Sequence, residues 1–393
     1  MDEQKAFAKR LRRHVVGRVR EYFAVTAPGL EGVCAAELAG PPLGLPDLRP
    51  MTGGVAFAGR LEDCWLANLH LRTATRILMR ITEFKAAAFH QLQARLDQIP
   101  WELFLPARPF VRVRATLHGC RLFHSRAVVQ RAEAVIQARQ GKMISAGSPD
   151  DIPQTIYLRG LDDRFTISID TSGESLYRRG LKTHGGRAPI RETLAAAVLL
   201  TAGHGPGTIL VDPMCGSGTF SLEGAMMGLA IPAGWFRLFA FMHWPSFAPR
   251  RWDHLRNRHR PRIPDTAVAL IFASDEDAQT CRRLGQTLAV HGLQGCVQVG
   301  PGDFFGILPS VFPGGPGLLV LNPPYGHRLG DKDQVRGFYQ RLWAQIRRTW
   351  TGWNLALVTP ASYLPASLPK GLGVRPLVHG GLNLSVVCGR ING

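Results

Sequence analysis

The feature that most constrains the fold is a short apolar run that stops abruptly at a polar, proline-rich loop. The run, Gly317–Leu321, has the length and composition of a strand buried on both faces of a parallel sheet. Asn322-Pro323-Pro324-Tyr325 follows it directly. Neither proline has a backbone donor, and the second one keeps Pro323 extended, so the loop is stiff. An amide, bare carbonyls and an aromatic ring at the carboxyl end of such a strand indicate a ligand site rather than packing.

A second apolar run, Thr208–Val211, leads into a glycine-rich loop, and a helix is predicted from Ser221 to Leu229. The glycines allow a tight turn and a close approach of the backbone to a ligand. The loop is similar to a dinucleotide fingerprint, but Ser221 stands where its third glycine is expected. The loop therefore predicts a cofactor site, whose candidate residues are Asp212, Pro213, Cys215, Gly216, Gly218 and Thr219.

Acidic residues follow two further predicted strands. Asp275 ends the run 268–274, with Asp277 as a second candidate, and either carboxylate suits the hydroxyls of a ribose. Asp303 lies just past the strand predicted at 296–299, where it could accept a hydrogen bond from an adenine amino group. Because Asp is a good N-cap, each of these acids has the alternative role of capping the next helix.

The chain changes character near residue 173. Before it, strands and helices mix in an α+β pattern, with a basic amphipathic helix across 4–20 and a hairpin across 155–170. After it, strands and helices alternate regularly, which is typical of an α/β domain with a parallel sheet. Residues 231–265 interrupt this alternation, and we expect them to form an insertion at the rim of that sheet.

Charge and cysteine usage narrow the class of protein. The 393 residues include 47 Lys and Arg against 29 Asp and Glu, a net charge of +18 that favours a polyanionic partner. Arg121, Ser125 and Arg126 lie before and at the start of a predicted helix that Ser125 could cap, and this arrangement suits phosphate groups. The seven cysteines form no CxxC pair and show no zinc spacing. We expect no metal, no membrane span, a monomer and a reducing, cytoplasmic location.

From Tyr22 to Ile391 the chain resembles the THUMP-domain class I methyltransferases that make N2-methylguanosine in RNA. The resemblance is carried by the glycine loop, by Asn322–Tyr325, and by three further segments, residues 23–31, 172–180 and 188–197. It is strongest to the bacterial RlmL type, which acts on large-subunit ribosomal RNA. It implies a basic extension over 1–21, a ferredoxin-like part over 22–61, a THUMP RNA-binding domain over 62–171, and a Rossmann-like methyltransferase domain over 172–393.

The resemblance also implies S-adenosylmethionine as cofactor, held by the glycine loop, Asp275 and Asp303, and RNA as substrate. Asn322, Pro323, Pro324 and Tyr325 would then form the catalytic loop. The Asn322 amide oxygen and the Pro323 carbonyl would accept the amine hydrogens, and Tyr325 would stack on a base held out of its helix. We expect no covalent attack by Cys215, because no second cysteine accompanies the loop.

Several alternatives stay open from the sequence. The Asn-Pro-Pro-Tyr loop suits adenine N6 or cytosine N4 as well as guanine N2, so a DNA amino-methyltransferase is one alternative. A guanine-N2 methyltransferase acting on transfer RNA is another. A non-catalytic RNA-binding assembly factor is a second class. A nicotinamide enzyme fits poorly, since its acidic residue is expected about 20 positions after the glycines, whereas Asp275 comes 57 after Gly218.

Overall fold

A computed structural model describes residues 2–107, 109–141, 152–181, 190–261, 270–324, 332–379 and 382–392. The chain divides into two compact units. The first unit comprises Met1–Thr26, Cys34–Leu176 and Arg237–His259, and the second comprises Ala27–Val33, Tyr177–Phe236 and Arg260–Gly393. Tyr325 of the predicted catalytic loop lies outside the described residues, as do the first two residues of the segment 188–197.

The regular elements are numbered along the chain. The strands are β1 (Arg20–Val25), β2 (Arg49–Met51), β3 (Gly54–Gly59), β4 (Arg76–Lys85), β5 (Val111–His118), β6 (Gln154–Leu161), β7 (Arg164–Asp170), β8 (Leu210–Asp212), β9 (Ile271–Asp275), β10 (Val297–Pro301), β11 (Leu318–Leu321), β12 (Asn354–Pro360), β13 (Leu372–His379) and β14 (Leu382–Arg390). The helices are α1 (Asp2–Leu11), α2 (Glu31–Ala39), α3 (Leu61–His70), α4 (Phe89–Asp97), α5 (Ser125–Gln140), α6 (Glu192–Thr201), α7 (Thr219–Gly228), α8 (Pro249–Arg258), α9 (Ala278–Val290) and α10 (Lys332–Thr349).

The first unit is built on a mixed seven-stranded sheet. Its strand order is β2-β3-β1-β4-β7-β6-β5, and every neighbouring pair is antiparallel except β5 and β6. The predicted hairpin is β6 and β7, joined by Asp162 and Asp163, which both have positive φ. Short polar residues tolerate that conformation. The α+β character expected for this half of the chain is therefore confirmed.

The second unit has the alternating architecture predicted from the sequence. Its strand order is β10-β9-β8-β11-β12-β14-β13. Strands β10, β9, β8, β11 and β12 run parallel, β14 is antiparallel to β12, and β13 is antiparallel to β14. Successive β11 residues face opposite cores. Leu318 and Val320 pack with residues of α6, α7 and α9, whereas Leu319 and Leu321 pack with residues of α10. A parallel sheet buried on both faces explains the nearly unbroken apolar strands.

The expected position of the insertion is wrong. Residues 237–259 belong to the first unit and not to the rim of the second sheet. The Trp252 ring lies edge-on to Trp65 of α3, with centroids 6.2 Å apart, and Phe241 stacks on the same indole at 5.7 Å. Trp65 and Trp252 are both buried. These contacts bury the aromatic residues of a segment that interrupts the alternation of strands and helices in the sequence.

The single helix predicted across 4–20 is also wrong. Helix α1 ends at Leu11, one π-helical turn covers Arg12–Val16, and β1 begins at Arg20. The backbone N–H of Gly17 closes the turn by donating to the Arg12 carbonyl at 2.8 Å. Val15 is buried, so the change of direction lets an apolar side chain of this basic segment pack. Among the described helices, none has the length and apolarity needed to cross a bilayer.

Candidate active site

Strand register gathers the predicted site residues at one edge of the second sheet. Asp212 pairs with Ala273 across β8 and β9, and Val211 pairs with Leu319 across β8 and β11. The strand order reverses between β8 and β11. The loops that follow these two strands therefore flank the topological switch point, where open α/β sheets bind ligands. The sequence predicted each loop, and the sheet order places them side by side.

The loop after β8 is held against the neighbouring strand by its backbone. The Cys215 N–H donates to the Ser274 carbonyl at 2.9 Å, and the Gly218 N–H donates to the Cys215 carbonyl at 2.8 Å. Gly216 and Gly218 have φ angles of +51° and +74°. A Cβ on Gly218 would lie 2.3 Å from Leu284, whereas one on Gly216 would meet nothing within 4 Å. Gly216 thus borders open space, as a loop that accepts a ligand requires.

The Asp212 carboxylate has one satisfied oxygen and one orphaned oxygen. Asp212 is buried, and its Oδ2 accepts a hydrogen bond from Ser221 Oγ at 2.6 Å. Its Oδ1 is buried and has no donor among the described residues. Burial, with a smaller contribution from the Asp275 charge, raises the pKa of Asp212 to about 7. A buried acceptor without a donor is costly, so this oxygen is suited to a donor that a ligand brings.

Ser221 is a site residue whose role sequence reasoning missed. The serine at the third-glycine position was noticed as a departure from the dinucleotide fingerprint, and its hydroxyl is what fixes the Asp212 carboxylate. Thr219 at the start of α7 and Pro213 in the loop before it are also buried. Helix α7 begins directly after the glycine loop, and the positive end of its dipole favours electron-rich ligand atoms there.

Asp275, the last residue of β9, and Asp277, which begins α9 as its cap, have different roles. Asp277 is the N-cap of α9, since its side chain accepts from the Gln279 N–H at 2.8 Å and from Thr280 Oγ1 at 2.7 Å. Asp275 instead accepts the Gly216 N–H on Oδ2 at 2.9 Å and the Asp277 N–H on Oδ1 at 3.1 Å. Each Asp275 oxygen keeps one lone pair for a further donor. The capping alternative therefore applies to Asp277, and Asp275 holds the glycine loop.

Asp303 does cap a helical turn. Its Oδ1 accepts the Phe305 N–H at 2.9 Å at the start of a 3₁₀ turn, Phe304–Gly306. The side chain is nevertheless exposed at the same sheet edge, two residues beyond the end of β10. Capping occupies one lone pair of one oxygen, so a second hydrogen bond to a ligand is compatible with this geometry.

Asn322 carries the second orphaned oxygen of the edge. It follows Leu321, the fully buried last residue of β11. Its Oδ1 is buried and finds no donor among the residues that the structure describes. Pro323 is buried and Pro324 half-buried, while Tyr325 lies outside the described residues. An amide oxygen presented from a stiff loop next to the switch point is suited to accept a hydrogen from a substrate amine.

The Cys215 thiol is not set up for nucleophilic attack. Burial raises the pKa of Cys215 well above its usual range, and the nearby Asp212 carboxylate raises it further. The thiolate is the reactive form, so this environment keeps the group inert. Within the described ranges, no three His, Cys, Asp or Glu side chains are grouped to hold a metal ion.

A buried ion pair braces α7. Arg179 Nε donates to Glu223 Oε1 at 2.8 Å, and the two side chains are 2% and 1% exposed. Glu223 is the one charged residue in the helix sequence TFSLEGAMMG. That isolated charge in an apolar helix was the available signal for a buried partner, because a buried carboxylate needs one.

The residues predicted to contact RNA lie in the first unit. Arg121 is exposed, but both its N–H and its guanidinium are bound to Asp163, at 2.7 and 2.9 Å. Ser125 does not cap α5: the cap is His124, and Ser125 is the first helical residue. Ser125 and Arg126 are exposed. Phe123, which the sequence prediction passed over, is 69% exposed between them and Arg121.

Three comparisons with known proteins bear on this site. Residues 179–370 match the family model described as "RMKL-like, methyltransferase domain", and residues 21–78 match the "RlmL ferredoxin-like domain". A Synechocystis protein named "Putative RNA methyltransferase" is 31% identical over 372 residues, covering 92% of this chain and 94% of that protein. The "Ribosomal RNA large subunit methyltransferase K/L" of Syntrophotalea carbinolica is 33% identical, covering 90% of this chain and 50% of that protein.

Several solved structures are similar along nearly the whole chain. One of them is the crystal structure of "SMU.472, a putative methyltransferase complexed with SAH", with a TM-score of 0.81 and 26% identity. The match covers 96% of this chain and 99% of that one. By contrast, this chain spans about half the length of the K/L relatives it matches.

The raised pKa of Asp212 predicts a pH-dependent stability in the ligand-free protein. The folded-state pKa, about 7, lies above the ordinary 3.8, so the folded chain keeps a proton that the unfolded chain releases between these values. This stabilising contribution is fully present below pH 3.8 and is lost as pH rises through about 7. Asp212→Asn removes the titrating carboxyl group, so the stability of the variant lacks this pH dependence. The melting temperature of the variant minus that of wild type should therefore increase as pH rises from about 5 to about 8.

Ser221→Ala provides the matched control. The Ser221 hydrogen bond lowers the pKa of Asp212, so its removal should move the loss of stability to higher pH. Melting temperatures of Asp212→Asn and wild type that run parallel across this range would contradict the assignment.

Proposed function

Because this chain belongs to the RMKL-like methyltransferase family, a family of S-adenosylmethionine-dependent RNA methyltransferases, we propose that it forms N2-methylguanosine in large-subunit ribosomal RNA. The observation that carries the proposal is the orphaned Asn322 oxygen beside the glycine loop at the switch point. The guanine assignment is supported by the motif resemblance, and the ribosomal target by the name of the K/L relatives.

The glycine loop and its neighbours fit the cofactor. Asp275 has lone pairs available for ribose hydroxyls, and the exposed Asp303 carboxylate can accept from the adenine amino group. The orphaned Asp212 oxygen is an acceptor for a donor on the methionine part. Gly216 leaves space beside the loop, and the remaining loop residues, Pro213, Cys215, Gly218 and Thr219, give it its shape. When bound, S-adenosylmethionine supplies an electrophilic methyl group on a sulfonium.

The chain's own contribution is to position the amine. A guanine N2 lone pair is delocalised into the ring, which makes the amine a poor nucleophile. Asn322 Oδ1 and the Pro323 carbonyl would accept its two hydrogens and help to localise that pair. The rigid Pro323-Pro324 step keeps both acceptors in place, and Tyr325 would stack on the base. Holding two reactants in line is worth about 7 kcal/mol or more. After the methyl group has moved from sulfur to nitrogen, the amine loses its extra proton to water, so no strong base is required.

The first unit is the proposed source of RNA affinity. Assigning residues 62–171 to a THUMP domain, with 22–61 as the ferredoxin-like part before it, belongs to this proposal. The catalytic part is 172–393 without 172–176 and 237–259, which belong to the first unit. Arg126 and Ser125 are exposed at the start of α5 and suit a phosphate, whereas Arg121 is already engaged by Asp163. The exposed Phe123 ring, 4.0 Å from the His124 ring, is suited to stack on an unpaired base.

Two variants separate charge from stacking on this surface. Arg126→Ala should weaken RNA binding and reduce the salt slope of log K by about 0.7, the value for one contact to a single strand. Phe123→Ala should weaken binding by about 1–3 kcal/mol without changing the slope. The measurement is fluorescence anisotropy at several salt concentrations. Arg139→Ala is the control, because Asp97 already pairs with that guanidinium at 2.8 Å, and an Arg126→Ala slope equal to that of this control would exclude the α5 surface.

Asp275 and Asp277 offer a matched pair for the cofactor site. Asp275→Ala removes a ribose acceptor and the brace on Gly216, so affinity for S-adenosylhomocysteine should fall by about tenfold or more, or about 1.4 kcal/mol. Asp277→Ala removes only the α9 cap, so it should lower stability while leaving affinity nearly unchanged. Isothermal titration calorimetry measures both. Binding of NADH in place of S-adenosylhomocysteine would overturn the cofactor assignment.

The chemistry is tested at Asn322. Asn322→Ala should lower the methylation rate by about 100-fold or more, the usual loss when one preorganised hydrogen bond to the transition state is removed. Affinity for S-adenosylhomocysteine should stay nearly intact. Asn354→Ala is the control, since this exposed Asn lies at the opposite end of the neighbouring strand β12. Full activity of Asn322→Ala would rule out this mechanism.

The substrate is tested by mass spectrometry of nucleosides. Ribosomal RNA from a strain that lacks the chain should lose N2-methylguanosine, and wild type, but not Asn322→Ala, should restore it. Appearance of N6-methyladenosine or N4-methylcytidine instead would refute guanine as the base. Methylation confined to transfer RNA or DNA would refute the ribosomal target, and no methylation of any kind would favour a non-catalytic assembly factor.

A further inference from the structure

The basic segment at the N-terminus helps to form a pocket in the first unit. The pocket has a volume of about 380 Å³ and lies between this segment, β4 and the short turn at Trp101–Leu103. Its polar and aromatic lining includes His14, Arg18, Arg20, Glu83, Arg95 and Phe104. This volume falls in the range of small-ligand sites and is larger than a single inorganic anion needs.

The N-terminal segment is anchored to the first unit through specific contacts. Val15 is 1% exposed, which fixes the π-helical turn to the core of that unit. Arg10 makes an ion pair of 2.6 Å with Glu102 in the turn that forms the opposite wall. The π-helical turn ends at Gly17, and Arg18 and Arg20 lie within the next three residues. The fold of this segment therefore places His14, Arg18 and Arg20 at the pocket.

The charges in the pocket are poorly balanced by the protein itself. Arg20 Nη2 donates to the His14 carbonyl at 2.5 Å, and its guanidinium lies 5.2 Å above the Phe104 ring. Its Nε is buried and has no acceptor among the described residues. The Glu83 carboxylate is bound by Arg164 at 2.7 Å, outside the lining. A buried guanidinium donor without an acceptor requires one from elsewhere.

Like charges also lie close together in the lining of this pocket. Burial, together with the charge of Arg18, lowers the pKa of Arg20. Arg95 adds a third guanidinium from the other side, at the end of α4. An anion bound among these three groups would relieve the repulsion and satisfy the buried Nε. Phosphate suits this role, because the planar guanidinium fork matches its oxygens.

The walls of the pocket suit more than a phosphate alone. Ile81, Phe84, Pro100 and Phe104 line it beside the arginines. Apolar and aromatic walls next to cationic groups are the combination that binds an unpaired nucleotide, through its base and its phosphate together. The pocket therefore matches one nucleotide of a strand better than a duplex backbone, which would need a flat basic surface.

We propose that this pocket binds one nucleotide of a single-stranded RNA segment, with its phosphate held by Arg18, Arg20 and Arg95. The proposal rests on RNA being the substrate, and it gives the N-terminal basic segment the role of a second RNA contact in the first unit. Since the pocket takes residues from this segment and from the sheet, neither part alone forms it.

The test compares two double variants that remove the same charge. Arg18→Ala/Arg95→Ala removes two guanidinium groups that would donate hydrogen bonds to the phosphate. Arg12→Ala/Arg13→Ala removes two exposed arginines of the basic N-terminal segment that do not line the pocket. Binding of a fluorescein-labelled oligouridylate is followed by anisotropy across a salt series. The pocket variant should weaken binding and reduce the salt slope of log K by about 1.4, for two lost contacts to a single strand. The control variant should change the slope by less than half as much.

The other outcomes overturn the proposal. Equal slopes for the two variants would show that the arginines act only as general surface charge. Binding of adenosine monophosphate that depends on Arg18 and Arg95, with unchanged affinity for oligouridylate, would replace the RNA strand by a free nucleotide. Thermal melting checks that both variants stay folded.

Failure of the pocket and failure of the proposed function are distinguishable. A wild-type protein that methylates ribosomal RNA, with identical oligouridylate binding by both variants, would sink the pocket and keep the function. A wild-type protein that methylates no RNA but binds oligouridylate through Arg18 and Arg95 would contradict the proposed function and support the pocket.

Discussion

The parallel pairing of β8 with β11 is the constraint on which the site depends. Only three residues form β8 and four form β11, yet this short ladder joins the two halves of the second sheet. Because the sheet order reverses here, α7 after β8 and α10 after β11 pack on opposite faces of the sheet, which opens a crevice at the carboxyl ends of the two strands. The orphaned oxygens of Asp212 and Asn322 lie at these ends. Both oxygens lie where a ligand can enter, so a bound ligand can supply the hydrogen-bond donors that the described residues do not.

The supporting charges show how this edge is kept rigid. The Arg179–Glu223 pair is buried on α7, one turn beyond the glycine loop, and Asp275 holds Gly216 from the neighbouring strand. A buried ion pair adds little net stability, but breaking it leaves an uncompensated charge, so it penalises any displacement of the helix start. The loop is thus fixed from both sides by acids, only one of which, Asp275, was expected to matter from the sequence.

Local patterns predicted most of the fold and identified the loops that form the candidate site, and long-range contacts account for what they missed. The glycine loop and Asn322 were identifiable because their residues are contiguous and each follows an apolar strand. Which of Asp275 and Asp277 caps α9 could not be decided, since it depends on one backbone geometry. The place of residues 237–259 was mispredicted because Trp252 packs against Trp65, nearly 190 positions earlier in the chain. Periodicity within a window contains no information about such a partner.

The return of residues 237–259 to the first unit has a consequence for how the protein is made. The chain leaves the first unit at Leu176, contributes Tyr177–Phe236 to the second, and then comes back. During synthesis, Trp65 emerges from the ribosome long before Phe241 and Trp252, which cover it in the finished protein. An exposed indole on a nascent chain is a site for chaperones or for misassembly. The first unit therefore cannot mature as an independent N-terminal domain, and its last aromatic contacts form only when the second unit is already partly translated.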